Sequence, residues 1–147
     1  MKVILTRSNS ISSWLIRIRL SIARRRWERW SHALVVLEDG VIQSTFKAGG
    51  VRKGRLQDVL KHASVANVLT IDLRDEAAAA SWLLAQVGKP YDWRACWGLA
   101  ISSREWRDDY AWFCFELVAG AALAGGREVS TDASLITAHD LVDLAHG

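Results

Sequence analysis

The chain predicts an α+β fold: an antiparallel sheet of about four to six strands, one helix packed against it and buried on all sides, and other helices around them. Three observations carry this expectation. Apolar runs of strand length flank the pair Asp39-Gly40, a strong short-range hairpin signal. Residues 114–124 are apolar almost all round, which places a helix in a protein interior. Elsewhere apolar residues recur at helical spacing between polar turns. With 147 residues, half of them apolar, and a mean hydropathy of +0.06, the chain reads as one domain able to bury a core.

Residues 1–30 form a basic leading strand and helix. Val3-Ile4-Leu5 suits a short strand, and Ser8-Asn9-Ser10 is a turn and cap signal. Ile11, Trp14, Leu15, Ile18 and Ile22 then recur at helical spacing with Arg17, Arg24 and Arg25 among them. The pattern predicts an amphipathic helix with that stripe buried and its arginines snorkelling outward. The segment sets eight bases against Glu28 alone, a charge of +7, so the rest of a chain with net charge +3 carries −4. This asymmetry excludes a uniformly basic nucleic-acid binder, and no specific nucleic-acid partner is expected. An Arg-rich amphipathic helix also fits an adaptor for an anionic membrane surface or for nucleic acid without sequence specificity, here through residues 11–30.

Residues 31–73 hold the histidine-bearing hairpin and the sheet. Ala33 to Leu37 and Val41 to Phe46 are its two strands, with Glu38-Asp39-Gly40 as the turn. Gly49-Gly50 reads as a loop and Val51-Arg52-Lys53-Gly54 as exposed polar chain. Leu56, Val59 and Leu60 predict a short helix ending near Lys61-His62, and Val68 to Leu73 a third strand.

Residues 74–147 are the helical part. Asp75-Glu76 put acid in the first turn of a helix whose expected buried stripe is Ala80, Leu83, Leu84 and Val87, with Gly88 just past its end and Pro90 beyond. Gly88 to Trp93 is a loop. Cys96, Trp97, Leu99 and Ile101 continue as an apolar segment, in which Cys96 reads as a buried structural thiol. Arg104 to Tyr110 is a polar lead-in, and its Asp108-Asp109 reads as a charged helix approach rather than a glycosidase pair. After the Cys114 helix, Gly125-Gly126 supplies the stop, and Thr137-Ala138-His139-Asp140 opens a terminal helix with the form of a capping box. His62, His139 and His146 read as surface residues.

Function is sought first at Cys114. A helix N-terminus offers unpaired N–H groups and a positive dipole end, which favour a thiolate, and a cysteine opening a buried helix has the geometry of a nucleophile. Such a nucleophile needs a base. His32 stands at the mouth of the first hairpin strand, and Gln43 lies roughly opposite on the second, where an amide can orient an imidazole. Taken alone, His32 is a strand-edge histidine and Gln43 a solvent-facing strand residue. The two cysteines lack CxxC or zinc-ligand spacing with any histidine, so neither a metal nor another cofactor is expected. No apolar run approaches the roughly 20 residues of a membrane span. The start is too short in apolar residues for a secretory signal, so synthesis in the cytoplasm is expected.

Taken together, Ser31-His32, the Asp39-Gly40 turn, the polar Gln43, the Gly88-Lys89-Pro90-Tyr91-Asp92 loop and Phe113-Cys114-Phe115-Glu116-Leu117-Val118 form an ordered set. This set resembles the circularly permuted NlpC/P60 proteins. These are papain-like cysteine hydrolases in which the histidine hairpin precedes the cysteine helix. The resemblance spans roughly residues 1 to 144 of the single domain, 1–147. It implies a permuted papain-like fold and a thiol peptidase or amidase with Cys114 as nucleophile, His32 as base and Gln43 as orienting residue. Tyr91, Phe115 and Ser31 would line the substrate site. It implies a peptide or acyl-amide substrate, cell-wall peptidoglycan above all. Phage-encoded relatives extend this to virion association and tail-protein partners. Two positions depart from the family pattern: Phe115 follows the cysteine where serine is usual, and Gln43 stands where His or Glu is common. The alternative they raise is a non-enzymatic structural or interaction module that keeps the fold.

Overall fold

The computed structural model describes residues 1–47, 49–92, 110–130, 132 and 135–147. Among these, five strands and five helices follow one another. They are β1 (Lys2–Arg7), α1 (Ile11–Arg24), β2 (His32–Leu37), β3 (Gly40–Thr45), β4 (Gly50–Gly54), α2 (Leu56–Leu60), β5 (Val65–Thr70), α3 (Glu76–Gln86), α4 (Cys114–Ala124) and α5 (Ala138–His146). The strands make one sheet of order β4-β3-β2-β1-β5, antiparallel at every pairing. The α+β class is therefore as expected, and the hairpin closes where the Asp-Gly signal put it, with Leu37 opposite Gly40.

Strand alternation gives the sheet two unequal faces. Val3, Leu5, Ala33, Val35, Ile42 and Val51 point to one face, where they join Phe115, Leu117, Val118, Ala121 and Ala122 of α4 in the main core. Ile4, Leu34 and Val41 point to the other, where Leu56 and Val59 of α2 cover them. Full burial of a Leu, Ile or Phe side chain stabilises by roughly 1.5–3 kcal/mol, so the α4 face dominates the energetics. Small residues let α4 approach its neighbours closely. A Cβ at Gly120 would stand 2.4 Å from the ring of Trp82 on α3.

Three expectations are corrected. The stripe Ile11, Trp14, Leu15, Ile22 of α1 is exposed, not buried. What docks the helix is its opposite side: Leu20, the partly buried Ile16, and Ser13, whose hydroxyl donates to Ser31 Oγ at 2.7 Å. Periodicity identifies an apolar face but not what it meets. Second, Gly50–Gly54 is an edge strand rather than loop and exposed chain. A single buried apolar side chain, that of Val51, carries it, and an edge strand needs no more. Third, the stripe of α3 that faces inward is Ala79, Leu83 and Gln86, while Leu84 and Val87 are exposed. The buried Gln86 won its inward place because it has three bonds there. Its Oε1 accepts from Trp112 Nε1 and Lys89 Nζ, and its Nε2 donates to the carbonyl of Trp82. The expectations for Trp93, Cys96, Trp97, Leu99, Ile101 and Arg104 to Asp109 lie outside the described residues.

Candidate active site

Cys114 is the first residue of α4, with Phe113 as the extended residue before it. Helix geometry directs the N–H groups of this turn outward from the helix end. The same turn holds Glu116, whose carboxylate accepts the N–H of Phe113 at 3.5 Å and so helps close the helix start. Cys114 carries a thiol rather than half a disulfide, and it is 1% exposed.

Bonds at both ends fix the direction of α4. Ser44 Oγ, near the end of β3, donates to the carbonyl of Trp112 at 2.6 Å, two residues before Cys114. At the far end the carbonyl of Gly125 accepts the N–H groups of Arg74 and Asp75. Cys114 thus lies at the end of the sheet where β2 begins and β3 finishes, which is the end that carries His32.

The Gly88-Lys89-Pro90-Tyr91-Asp92 segment is stitched into the same corner. Val51 donates to the carbonyl of Lys89, Gly88 to that of Val51, Trp112 to that of Pro90 and Asp92 to that of Trp112. The first of these bonds explains Gly50. Its φ is +140°, and a Cβ there would stand 2.0 Å from the carbonyl oxygen of Lys89. Tyr91 is half-buried between Phe46 and Phe113, with ring centroids 6.2 and 6.1 Å away, and Phe113 meets Phe115 at 5.4 Å. An aromatic ladder therefore runs from the exposed Phe46 down to the residue after Cys114.

His32 and Gln43 are brought together. Leu34 is the direct partner of Gln43 in the ladder, so the two side chains are diagonal neighbours on one face. His32 Nε2 lies 2.7 Å from Gln43 Oε1. An amide oxygen only accepts, so Nε2 carries the proton and Nδ1 keeps the lone pair. Burial pushes the pKa of His32 below that of an ordinary imidazole, against the smaller opposing effect of the bond to Gln43. The ring is thus held as a neutral base.

Alternation places this pair on the face of Leu34 and Val41, whereas Cys114 belongs to the core beneath Ala33, Val35 and Ile42. The three expected site residues share one end of the sheet, with the thiol on one face and the His32–Gln43 pair on the other. Phe115 is fully buried in the core, and the Ser31 hydroxyl is engaged with Ser13 and the carbonyl of Thr6. His139, expected on the surface, meets the carbonyl of Trp27 at 3.0 Å and approaches the buried Glu28 at 3.8 Å.

Sequence reasoning passed over Ser44, Gln86 and Trp112. Each tethers the cysteine corner through a contact between chain segments far apart in sequence, and no local pattern signals that. Two open clefts, of about 440 and 450 Å3, lie at the other end of α4, around Arg74, Gly126, Arg127 and Glu128, and neither includes Cys114 or His32. Among the described residues no three His, Cys, Asp or Glu side chains gather as a metal site.

The fold and this corner define an α+β protein with a helix-opening cysteine and, at the same end of the sheet but on its opposite face, a hydrogen-bonded His–Gln pair. Compared with known proteins, the chain matches no family model and no curated sequence.

Proposed function

We propose that the chain is a cysteine hydrolase of the amidase or endopeptidase type, akin to the permuted NlpC/P60 proteins that its motif order resembles. The observation that carries this reading is the 2.7 Å contact of His32 Nε2 with Gln43 Oε1. It leaves Nδ1 of a neutral imidazole to accept a thiol proton. In the proposed reaction Nδ1 takes the proton of Cys114, and the thiolate attacks the carbonyl carbon of an amide. The backbone N–H of Cys114, outside the intrahelical ladder, stabilises the oxyanion. The imidazolium then protonates the departing amine, and water, activated by the same ring, releases the acyl group and restores the thiol. For this transfer the His32 side chain, at the first residue of β2, has to swing from its contact with Gln43 round the end of the strand towards Cys114. Peptide and acyl-amide substrates suit this chemistry, and peptidoglycan cross-links are the proposed natural class, with a phage tail as one setting.

A second reading has its own support. Cys114 is almost wholly buried and lies across the sheet from the His32–Gln43 pair, as suits a structural or interaction module that keeps the fold without the reaction. One experiment separates the two. The protein and its Cys114→Ala variant are incubated with peptidoglycan fragments and small acyl amides and read by mass spectrometry. Cleavage by the parent alone supports the hydrolase. No cleavage by either, with Cys114 labelled by a thiol probe at neutral pH no faster than a denatured cysteine, supports the module.

A further inference from the structure

We propose that α1 is a docking helix for an anionic lipid bilayer and lies in the plane of the membrane surface. The inference stands apart from the proposed hydrolase and does not rest on it. At about 100° per residue, Ile11, Trp14, Leu15, Ile18 and Ile22 fall within one arc of roughly 100°. Ile11 is 79% exposed, Trp14 52%, Leu15 46% and Ile22 63%, and Trp27, just past the helix, is 61% exposed. The opposite side is fixed to the domain by Leu20 and by the Ser13–Ser31 bond, so this arc points outward.

Charge says what covers it. On the same helical projection Arg17 and Arg19 fall on either side of the apolar arc. Arg25, Arg26 and Arg29 are exposed beside Trp27 at its end. The single acid of residues 1–30, Glu28, is 1% exposed and turned inward beside His139. The surface thus offers apolar side chains framed by cations, with tryptophan at both ends, which is the chemistry of a headgroup–acyl boundary.

Other occupants satisfy only half of it. Nucleic acid would engage the arginines and leave the isoleucines in water. A second copy across a two-fold axis would set the arginines against themselves. An acidic groove in a protein partner wraps a helix, and α1 has one arc to give. With 14 residues, α1 is shorter than a membrane span, so it would rest on the bilayer and not cross it.

Vesicle co-sedimentation tests the proposal, using phosphatidylcholine vesicles with and without phosphatidylglycerol. The protein should sediment with the anionic vesicles and roughly tenfold less with the zwitterionic ones. The double variant Leu15→Asp, Ile22→Asp should lose binding while keeping the parental circular dichroism and melting temperature. Arg17→Gln with Arg19→Gln should weaken binding and reduce its salt dependence, which keeps the test informative if the aspartates disturb folding. Equal sedimentation with both vesicle types, binding unchanged in both variants, or no vesicle binding by a protein that dimerises through this face or retains a DNA duplex would each overturn the proposal.

Discussion

Helices α4 and α1 begin from similar material and end in opposite places. Both are rich in large and small apolar residues. In α4 they run all round the helix, and eight of its residues are buried. In α1 most of them fill one arc, and that arc faces away from the domain. A helix apolar on every side has one stable location, the interior. A helix apolar on one side has two, and local pattern does not choose between them. The choice is made by a few contacts on the other face, here Leu20 and the hydroxyl of Ser13.

The comparison predicts unequal costs of mutation, the largest on α4. Leu117 is 1% exposed in the main core, so Leu117→Ala should lower unfolding free energy by about 2–5 kcal/mol in a denaturant titration. A loss under about 1 kcal/mol would mean that α4 is not the centre of the fold. Next comes Gly120→Ala. Helix propensity alone favours alanine by about 1 kcal/mol. The new Cβ would meet the Trp82 ring, which itself stands edge-on to Trp112 at 5.1 Å. Overpacking should win, with a net loss of about 1–3 kcal/mol. A gain in stability would show that Trp82 moves aside easily and that the α3–α4 contact is loose.

Smaller effects come from two buried titrating groups, His32 and Glu28. His32 has its pKa lowered by burial. Between that lowered value and the ordinary 6.5 the unfolded chain holds more protons, so stability should rise with pH through this window and fall on acidification. Glu28 has its pKa raised above 4.5, first by burial, with the Trp30 N–H bond and His139 opposing. There the native state holds more protons, so stability should fall as pH rises from 4.5 through the raised value. Each slope is at most about 1.4 kcal/mol per pH unit. Melting curves against pH should lose the first slope in His32→Gln and the second in Glu28→Gln. A slope that survives its own substitution would assign the titration elsewhere.

How much was legible beforehand follows the same division. The hairpin, α2, α4 and the capping box at Thr137, whose N–H and hydroxyl both reach Asp140, are written in adjacent residues and were readable. The His32–Gln43 pair was readable too, because a tight turn fixes register. The side of the sheet on which that pair lies relative to Cys114 was not, since it depends on which face α4 chooses more than 80 residues later. β4 escaped notice because an edge strand can rest on Val51 alone. The tethers of Ser44 and Gln86 to residue 112 belong to the packed fold, and only the packed fold reveals them.

The smallest predicted effect is the sharpest test of the contrast between the helices. Leu15 and Ile22 carry as much apolar surface as Leu117, yet they stand 46% and 63% exposed. Replacing an exposed apolar residue removes no buried contact, so Leu15→Ser and Ile22→Ser should each shift unfolding free energy by no more than about 0.5 kcal/mol. Serine is a poorer helix former than leucine by a few tenths of a kcal/mol, which accounts for most of that allowance. A loss of about 2 kcal/mol or more in the isolated protein would mean that the outward arc of α1 is covered by this chain itself. The two helices would then differ in degree of burial and not in kind.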